Sequence, residues 1–354
     1  MFSPSTAFRV TRKPQTINHK PETTTLKKIA VVILNWNGAK LLEQFLPSVI
    51  AYSEEAKVYV ADNASTDNSI AMIREQFPSI TIIQNDGNYG FATGYNLALQ
   101  QVEEEYYALV NSDIEVTKNW LAPILSIFDN EPNVGVIQPK ILDYKNKAYF
   151  EYAGAAGGFI DQFGYPYCRG RIFDTIEKDN GQYDDELEIF WASGACFFIR
   201  KNIYRKLDGF DGDFFAHQEE LDLCWRAFNL GIKAKYTSKS VVYHVGGATL
   251  NESNPKKTFL NFRNSLLMLT KNLPDKGLFS ILLIRLWLDA LAGIQFIFKG
   301  KFVHCWSIIK AHFHFYHLIN KTLKKRKGTY FENYYHVKSI VYRYFLKNGI
   351  IFEK

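Results

Sequence analysis

Two hydrophobic periods alternate along the first third of the chain. "KKIAVVILNWNG" is a continuous apolar, β-branched run that stops on Asn-Trp-Asn-Gly, the pattern of a strand buried on both faces with a polar exit. "AKLLEQFLPSVIAY" then places Leu41, Leu42, Phe45, Leu46 and Val49 on one side of a helix. "AKVYVADNAS" reads as a second strand. "TDNSIAMIREQF" reads as a helix that Thr66 or Asp67 can cap, with Ile70 and Ile73 facing inward. "ITIIQND" is a third strand, "GFATGYNLALQQVEEE" a helix behind a glycine-rich turn, and "YYALVNSD" a fourth strand. This alternation predicts βαβ units in an α/β fold with a doubly wound parallel sheet.

Three of these four strands end in side chains able to bind a ligand: Asn35 to Asn37, Asp62 with Asn63, and Asn111 to Asp113. One such end is an ordinary turn. Several on the same edge of one sheet outline a crevice, because ligands of open α/β sheets sit beyond the carboxyl ends of the strands. A hard divalent cation bound with a diphosphate needs only one or two protein carboxylates, so Asp113 suffices in kind for a metal–diphosphate site. Asn111 can add an oxygen. "NDGNYGFATGYN", Asn85 to Asn96, offers backbone amides at a helix start to a phosphate.

From Trp120 to about Gly247 the pattern is mixed, with short helices, strands and glycine- and aromatic-rich loops. "FFAHQEELDLCWR" gathers Glu219, Glu220 and Asp222 at the start of a helix that Gly231 ends. Carboxylates there either complement the helix dipole or provide a general base. Arg226 is placed to pair with these acids or with phosphate. "VVYHVGG" puts His244 at a strand end, as a structural residue or as a metal ligand.

Beyond Gly247 the composition changes. "GLFSILLIRLWLDALAGIQFIFKGK" is almost wholly apolar, broken by Arg285 and Asp289, which share a helix face and can pair. The run approaches the length of a bilayer span. Two charges near its middle make a lipid-facing span costly, so a helix lying in the membrane interface is expected, with "KTLKKRKG" attracting anionic lipid. A buried helix of a C-terminal bundle is the alternative. The formal charge of +6 is modest, and its other concentration is an N-terminal tail, residues 1–27, expected to be flexible. That tail lacks the apolar core of a signal peptide. No zinc-finger spacing or nucleic-acid-binding signature is present, so nucleic acid is not an expected partner. Cys168, Cys196, Cys224 and Cys305 form no Cys-x-x-Cys pair, which points to free thiols in a reducing compartment.

"VVILNWNG", "VYVADNASTDNS", "NDGNYGFATGYNLAL", "LVNSDIEV", "SGACFFIRK" and "GFDGDFFAHQEELDLCWRA" occur in the order and approximate spacing of the family 2 glycosyltransferases. The chain resembles most the rhamnosyltransferase-like members of bacterial surface-polysaccharide assembly, over roughly Lys28 to Gly247. The resemblance implies a GT-A fold over residues 28–250, with a nucleotide-binding half at 28–116 and an acceptor half at 117–250. A helical region at 251–354 would follow. It also implies inverting transfer from a nucleoside diphosphate sugar, dTDP- or UDP-linked, to a glycan, with Mg²⁺ or Mn²⁺ as cofactor, and the apolar, basic C-terminal region points to a lipid-linked glycan as the acceptor. The enzyme would sit in the cytoplasm, peripheral on the inner face of the membrane.

Carried onto this chain, Asn35 and Asn37 line the nucleotide site, and Asp62 reads the base with Asn63 beside it. Asn88, Gly90, Asn111 and Ser112 lie near the donor. Asp113 matches the last acid of the family's Asp-x-Asp metal motif, whose first position is Asn111 here, and His244 resembles a further metal ligand. Glu220 matches the catalytic base, with Glu219 and Asp222 beside it. Trp191, Ser193, Gly194 and Arg226 fall on the acceptor side. A sugar nucleotidyltransferase would carry a glycine-rich loop with Arg and Lys after the first strand, which "NWNGAKLL" lacks. A non-catalytic assembly protein that keeps the fold is the other alternative.

Overall fold

The structure, a computed structural model, describes residues 27–246, 254–347 and 351–352. The expected N-terminal tail, apart from Lys27, and the expected boundary at 250 lie outside the described residues.

The alternation expected of the first third is present as β1 (Ile29–Asn35), α1 (Ala39–Ala51), β2 (Ala56–Asp62), α2 (Ser69–Gln76), β3 (Thr81–Gln84), α3 (Gly90–Ala98) and β4 (Tyr106–Asn111). β5 (Ile114–Val116), α4 (Ala122–Asn130) and β6 (Val134–Asp143) follow. The short strands β7 (Gly158–Ile160), β8 (Pro166–Cys168), β9 (Arg171–Ile172) and β10 (Thr175–Ile176) then form a small antiparallel sheet of their own. β11 (Glu186–Ile189), β12 (Cys196–Arg200), α5 (Lys201–Lys206), α6 (Glu219–Asn229) and β13 (Lys233–His244) complete the α/β part. The helices α7 (Pro255–Asn272), α8 (Leu278–Phe298), α9 (Phe302–Lys324) and α10 (Ile340–Lys347) end it.

The main sheet runs β11-β13-β6-β12-β4-β1-β2-β3, with β5 paired to β13. Its β3-β2-β1-β4 half is wholly parallel. The other half is mixed: β12 lies antiparallel between β4 and β6, and β13 runs parallel to β6. The parallel half explains the unbroken apolar run of β1. Ala30 and Val32 enter one hydrophobic layer with Ala92 and Tyr95 of α3, while Val31 and Ile33 enter the opposite layer with Leu42, Leu46 and Val49 of α1. A strand covered on both faces has no polar side until it leaves the sheet. All its hydrogen-bonding side chains therefore gather at the exit.

Candidate functional site

The carboxyl ends of β1, β2 and β4 meet at one edge. Asn35, at the end of β1, donates through Nδ2 to Asp62 Oδ1 at 2.8 Å and to Ser65 Oγ at 3.1 Å. Ser65 closes the circuit, its amide donating to Asp62 Oδ2 at 2.9 Å and its hydroxyl to Asp62 Oδ1 at 2.6 Å. Asn37, at φ 53°, accepts at Oδ1 from the amide of Thr66 at 2.7 Å, while its own amide donates to Ser65 Oγ at 2.8 Å. Asp67 accepts from the amides of Ala39 and Ser69, which ties the starts of α1 and α2 together. Asn35 Oδ1 is buried without a hydrogen-bond partner. A Cβ on Gly38 would stand 2.5 Å from that oxygen, so the glycine is what lets β1 turn there. Ser65 and Asp67 lie inside the quoted "ADNASTDNS", but their role emerges only from the register that brings β1 beside β2.

Asn63 is buried and acts on the donor loop from behind. It donates to the Gly90 carbonyl at 2.9 Å and accepts from Asn85 at 2.7 Å. Asn88 is exposed and caps the loop through the Gly90 amide at 3.1 Å. The amides of Phe91 and Ala92, which the sequence offers to a phosphate, donate instead to the carbonyl of Phe215 at 2.8 and 3.4 Å. Gly90 has φ +71°, and a Cβ there would stand 2.6 Å from that same carbonyl. The glycine loop thus docks the donor edge against the segment that precedes α6.

Asp113 follows Asn111 and Ser112, both half-buried at the exit of β4. Its Oδ1 lies 3.2 Å from His244 Nε2, and His244 Nδ1 lies 3.2 Å from Glu151 Oε1. Burial disfavours the imidazolium, but the two carboxylates outweigh it and lift His244 to about 10. Glu151, which the sequence did not single out, is buried in an aromatic, glycine-rich stretch, and its second oxygen accepts from the Ala153 amide at 2.6 Å. Among the described residues no three His, Cys, Asp or Glu side chains are arranged to hold a metal ion. Asp113 offers a carboxylate that suits a divalent cation bound together with a diphosphate, and His244, an imidazolium between two carboxylates here, would add an imidazole ligand only by giving up its proton.

The catalytic candidates stand at the start of α6, behind an unusual loop. Phe215, His217 and Gln218 have φ values of 63°, 70° and 70°. Each is in the left-handed region that non-glycine residues rarely adopt, a recurring mark of functional sites. Four buried polar atoms here have no hydrogen-bond partner: His217 Nε2, Gln218 Oε1, Glu219 Oε2 and Glu220 Oε2. Buried polar atoms are nearly always paired, so a run of four is where a ligand's groups are wanted. Burial, with Lys257 nearby, lowers His217 to about 4. Burial and the adjoining Glu220 raise Glu219 well above the usual carboxylate range. Burial raises Glu220 too, but the Gly194 amide and amides of its own helix turn oppose it. The negative charge of the pair therefore belongs on Glu220.

Of the three acceptor-side residues in "WASG", Gly194 is the one beside Glu220: a Cβ on it would lie 3.5 Å from the Glu220 carboxyl carbon. Its neighbour Ala195 accepts the Asn111 amide at 2.9 Å, which joins the candidate base to the β4 exit. Trp191 and Ser193 are core residues. The Trp191 indole donates to the Phe159 carbonyl at 2.8 Å, and the Ser193 amide donates to Gln138 at 2.8 Å. Asp222 is fully buried and faces away from Glu220. It takes Arg226 at 2.8 Å, Lys271 at 2.9 Å and Asn272 at 2.8 Å, and Arg226 goes on to the Gly209 carbonyl at 2.9 Å. Both residues thus pin α6 to α7 and to the loop before it.

The family model for glycosyl transferase family 2 matches residues 30–208, about half of the chain. The chain belongs to the family 2 glycosyltransferases. It is 23% identical, over 61% of its length and 75% of the relative's, to an N-acetylglucosaminyl-diphospho-decaprenol L-rhamnosyltransferase of Mycobacterium tuberculosis. It is 22% identical to the rhamnosyltransferase WbbL of Escherichia coli, over 59% of this chain and 80% of that one. Among solved structures, GalNAc-T7 with UDP, GalNAc and Mn²⁺ aligns with a TM-score of 0.56 at 14% identity, over 71% of this chain and 49% of that one. A mannosyltransferase of Pyrobaculum calidifontis in complex with GDP-Man and Mn²⁺ aligns at 0.50 and 14%, over 82% and 87%. The fold is GT-A.

The C-terminal helices of this glycosyltransferase refine the expectation of an interfacial helix. α8 is inverted: Ile281, Arg285, Asp289 and Gly293 face the protein, while Phe279 and Trp287 are 80% and 70% exposed. Arg285 reaches the Phe163 carbonyl at 2.9 Å and Ser265 at 2.7 Å, and Asp289 takes His312 of α9 at 3.1 Å. α9 exposes Phe302, Trp306 and Phe313. Part of the basic run behind it is paired within the domain, while Lys324 and Lys327 stay exposed. Lys321 and Lys325 pair with Asp213 at 2.5 and 2.6 Å, Lys325 also with Asp211 at 2.5 Å, and Arg326 with Asp275 at 2.6 Å. Lys321 and Lys325 reach these acids because the end of α9 lies against the segment preceding α6.

Proposed function

We propose that this glycosyltransferase is an inverting hexosyltransferase that moves a sugar, rhamnose by the likeness of its relatives, from a dTDP- or UDP-linked donor to a hydroxyl of a lipid-linked glycan. The observation that carries the reading is the link between the β4 exit and Glu220 through Ala195 and Gly194. It ties the strand end that leads into Asp113, a carboxylate able to hold a cation for a diphosphate, to a buried carboxylate able to take a proton. Asn35, Asn37 and Asp62 receive the nucleotide, and Ser65 holds all three in register. Mg²⁺ or Mn²⁺, held by Asp113 with His244, would neutralise the leaving diphosphate. Glu220 accepts the proton of the acceptor hydroxyl. That oxygen bonds to the anomeric carbon as the bond to the diphosphate breaks on the opposite face, and no covalent enzyme intermediate is needed. Raised by burial, the Glu220 carboxylate is a better base than an exposed one, and Glu219, raised further by burial and by Glu220, holds its proton more readily than its neighbour.

The test is donor turnover. Purified protein is incubated with dTDP-, UDP- and GDP-sugars in Mn²⁺, Mg²⁺ or chelator, and nucleoside diphosphate release is followed. Metal-dependent release from one donor is expected. Release from none, with no thermal-shift binding of any donor, would favour a non-catalytic protein that keeps the fold.

The inverted faces of α8 and α9 support seating on the cytoplasmic face of a membrane. α8 is long and apolar enough to cross a bilayer, yet its two charges point into the protein and its aromatics outward, which suits an interfacial position. Co-sedimentation with phosphatidylglycerol-containing vesicles should fall severalfold in Phe279→Ser/Trp287→Ser. Equal binding by the two proteins would remove this part of the reading.

A further inference from the structure

The loop carrying the catalytic carboxylates is held from outside the sheet. Between Asp211 and Gln218 the backbone makes a turn at Phe215 (φ 63°, ψ −60°), closed by the Ala216 amide on the Phe214 carbonyl at 2.8 Å. This γ-turn form is rare and strained. His217 and Gln218 then continue in the left-handed region directly into Glu219. Such a segment persists only where its surroundings over-determine it.

Those surroundings are two adjacent side chains of α7. Asn264, fully buried, holds the two N–H donors of its Nδ2 among the carbonyls of Phe214, Ala216 and His217, at 3.0, 2.9 and 2.7 Å, one of them shared between two carbonyls. Arg263 donates to the carbonyls of Asp213 and Phe214 at 2.9 and 3.0 Å, and its Nε donates to Asn264 Oδ1 at 2.9 Å. That last bond fixes which way the amide points and polarises it as a donor. Lys256, a further residue of α7, sits 4.9 Å from the Phe215 ring. The fifth carbonyl, that of Phe215, is turned the other way, to Phe91 and Ala92 behind the donor loop. Every carbonyl from Asp213 to His217 thus has a partner on α7 or α3, and the strain of the turn is met at five successive carbonyls.

We infer that Asn264, oriented by Arg263, is a positioning residue for transfer: by capturing the carbonyls of the Asp213–His217 turn it sets where the Glu220 carboxylate stands relative to the donor. Neither side chain touches the reacting atoms. The inference rests on Glu220 as the base. It makes the helix that begins the C-terminal region part of the catalytic apparatus rather than a support for a membrane-facing hairpin.

The test compares Asn264→Asp and Asn264→Ala with the parent enzyme. N264D keeps the volume and gives Arg263 a carboxylate to pair with, so packing of α7 is spared while both donors to the loop are lost. Both variants should lower kcat roughly 100-fold, the scale of a displaced catalytic group, with donor KM within about threefold. The acid limb of the kcat–pH profile should move, because Glu220 no longer stands at the Gly194 amide. Amide hydrogen exchange should speed up in residues 213–221 and stay unchanged in β1 and β2. A parent-like kcat, or equal loosening across the whole chain, would overturn the inference. Exchange needs no substrate, so a parent protein without donor turnover would sink the proposed reaction and still leave this measurement to decide whether Asn264 holds the loop.

Discussion

The donor edge and the catalytic loop solve the same problem in opposite ways. Each must present carboxylates at a sheet edge without letting them collapse onto neighbours. The donor edge does so locally: Asn35 and Asp62 are 27 residues apart, on strands paired in parallel register, and Ser65 is three residues beyond Asp62. The loop before α6 does so at a distance. Its carbonyls are bound 47 residues later by Asn264, and Asp211 is bound 114 residues later by Lys325. In the proposed reaction, binding the nucleotide falls to a βαβ unit, and placing the base falls to elements far apart in the chain, the C-terminal helices included.

The sharpest way to test that division is Glu220→Gln. It should cut transfer by about 10³-fold or more while donor affinity by calorimetry stays within about twofold, since general-base catalysis carries factors of this size. A Glu220→Gln enzyme with parent turnover would end the assignment.

Next in size is Asp211→Asn, which breaks the long-range side alone. Burial opposes the Asp211 carboxylate, but Lys271 and Lys325 outweigh it and hold the group well below its ordinary value. Both its pairs are close, at 2.8 and 2.5 Å. A depressed native pKa means that the native state binds the proton more weakly, so the stabilisation is full above about pH 4 and is lost as pH falls through the native pKa. Removing one partner of so buried a pair should cost about 3 kcal/mol at pH 7 and progressively less below pH 4, read as the difference in Tm between variant and parent. A Tm difference independent of pH would mean that packing, not charge, joins α9 to the loop.

The smallest effect tests the local side. Ser65→Ala removes the hydroxyl's one hydrogen bond to Asp62 and those it accepts from the Asn35 side chain and the Asn37 amide, yet leaves the strand register intact. Donor KM should rise about tenfold, roughly 1–1.5 kcal/mol, with kcat nearly unchanged. A fall in kcat at constant KM would show that the two regions are coupled after all.

The same division decides what could be read in advance. β1 to β4 were legible because strands buried on both faces concentrate their polar residues at their exits, and Glu219-Glu220 stood out as paired acids ahead of a helix. Glu151 was not legible: nothing in "AYFEYAGAAGG" tells that its carboxylate meets His244 across 93 positions of chain. Trp191 and Ser193 lie beside Gly194 in sequence, and only the packing of Trp191 against Gly158 shows that they point into the core. That Lys321, Lys325 and Arg326 of "KTLKKRKG" pair with acids of their own domain was not legible, because the pattern of a basic run is the same whether it faces phosphate or carboxylates. The spacing of Arg285 and Asp289 puts them on one face of α8, but only the packing shows that this face meets the protein and the aromatic one does not.

One further consequence concerns the order in which the chain is made. β12 fills the slot between β4 and β6, pairing Cys196–Arg200 with Tyr106–Val110 across some ninety residues of intervening chain. Until residue 200 has left the ribosome, β4 presents an open, apolar edge to everything around it, which is the template that strands of other molecules adopt. Nascent or truncated chains ending between about 115 and 195 should therefore self-associate through β4. The vulnerable stage of this enzyme's life lies in the interval between synthesis of its donor half and arrival of the strand that seals it.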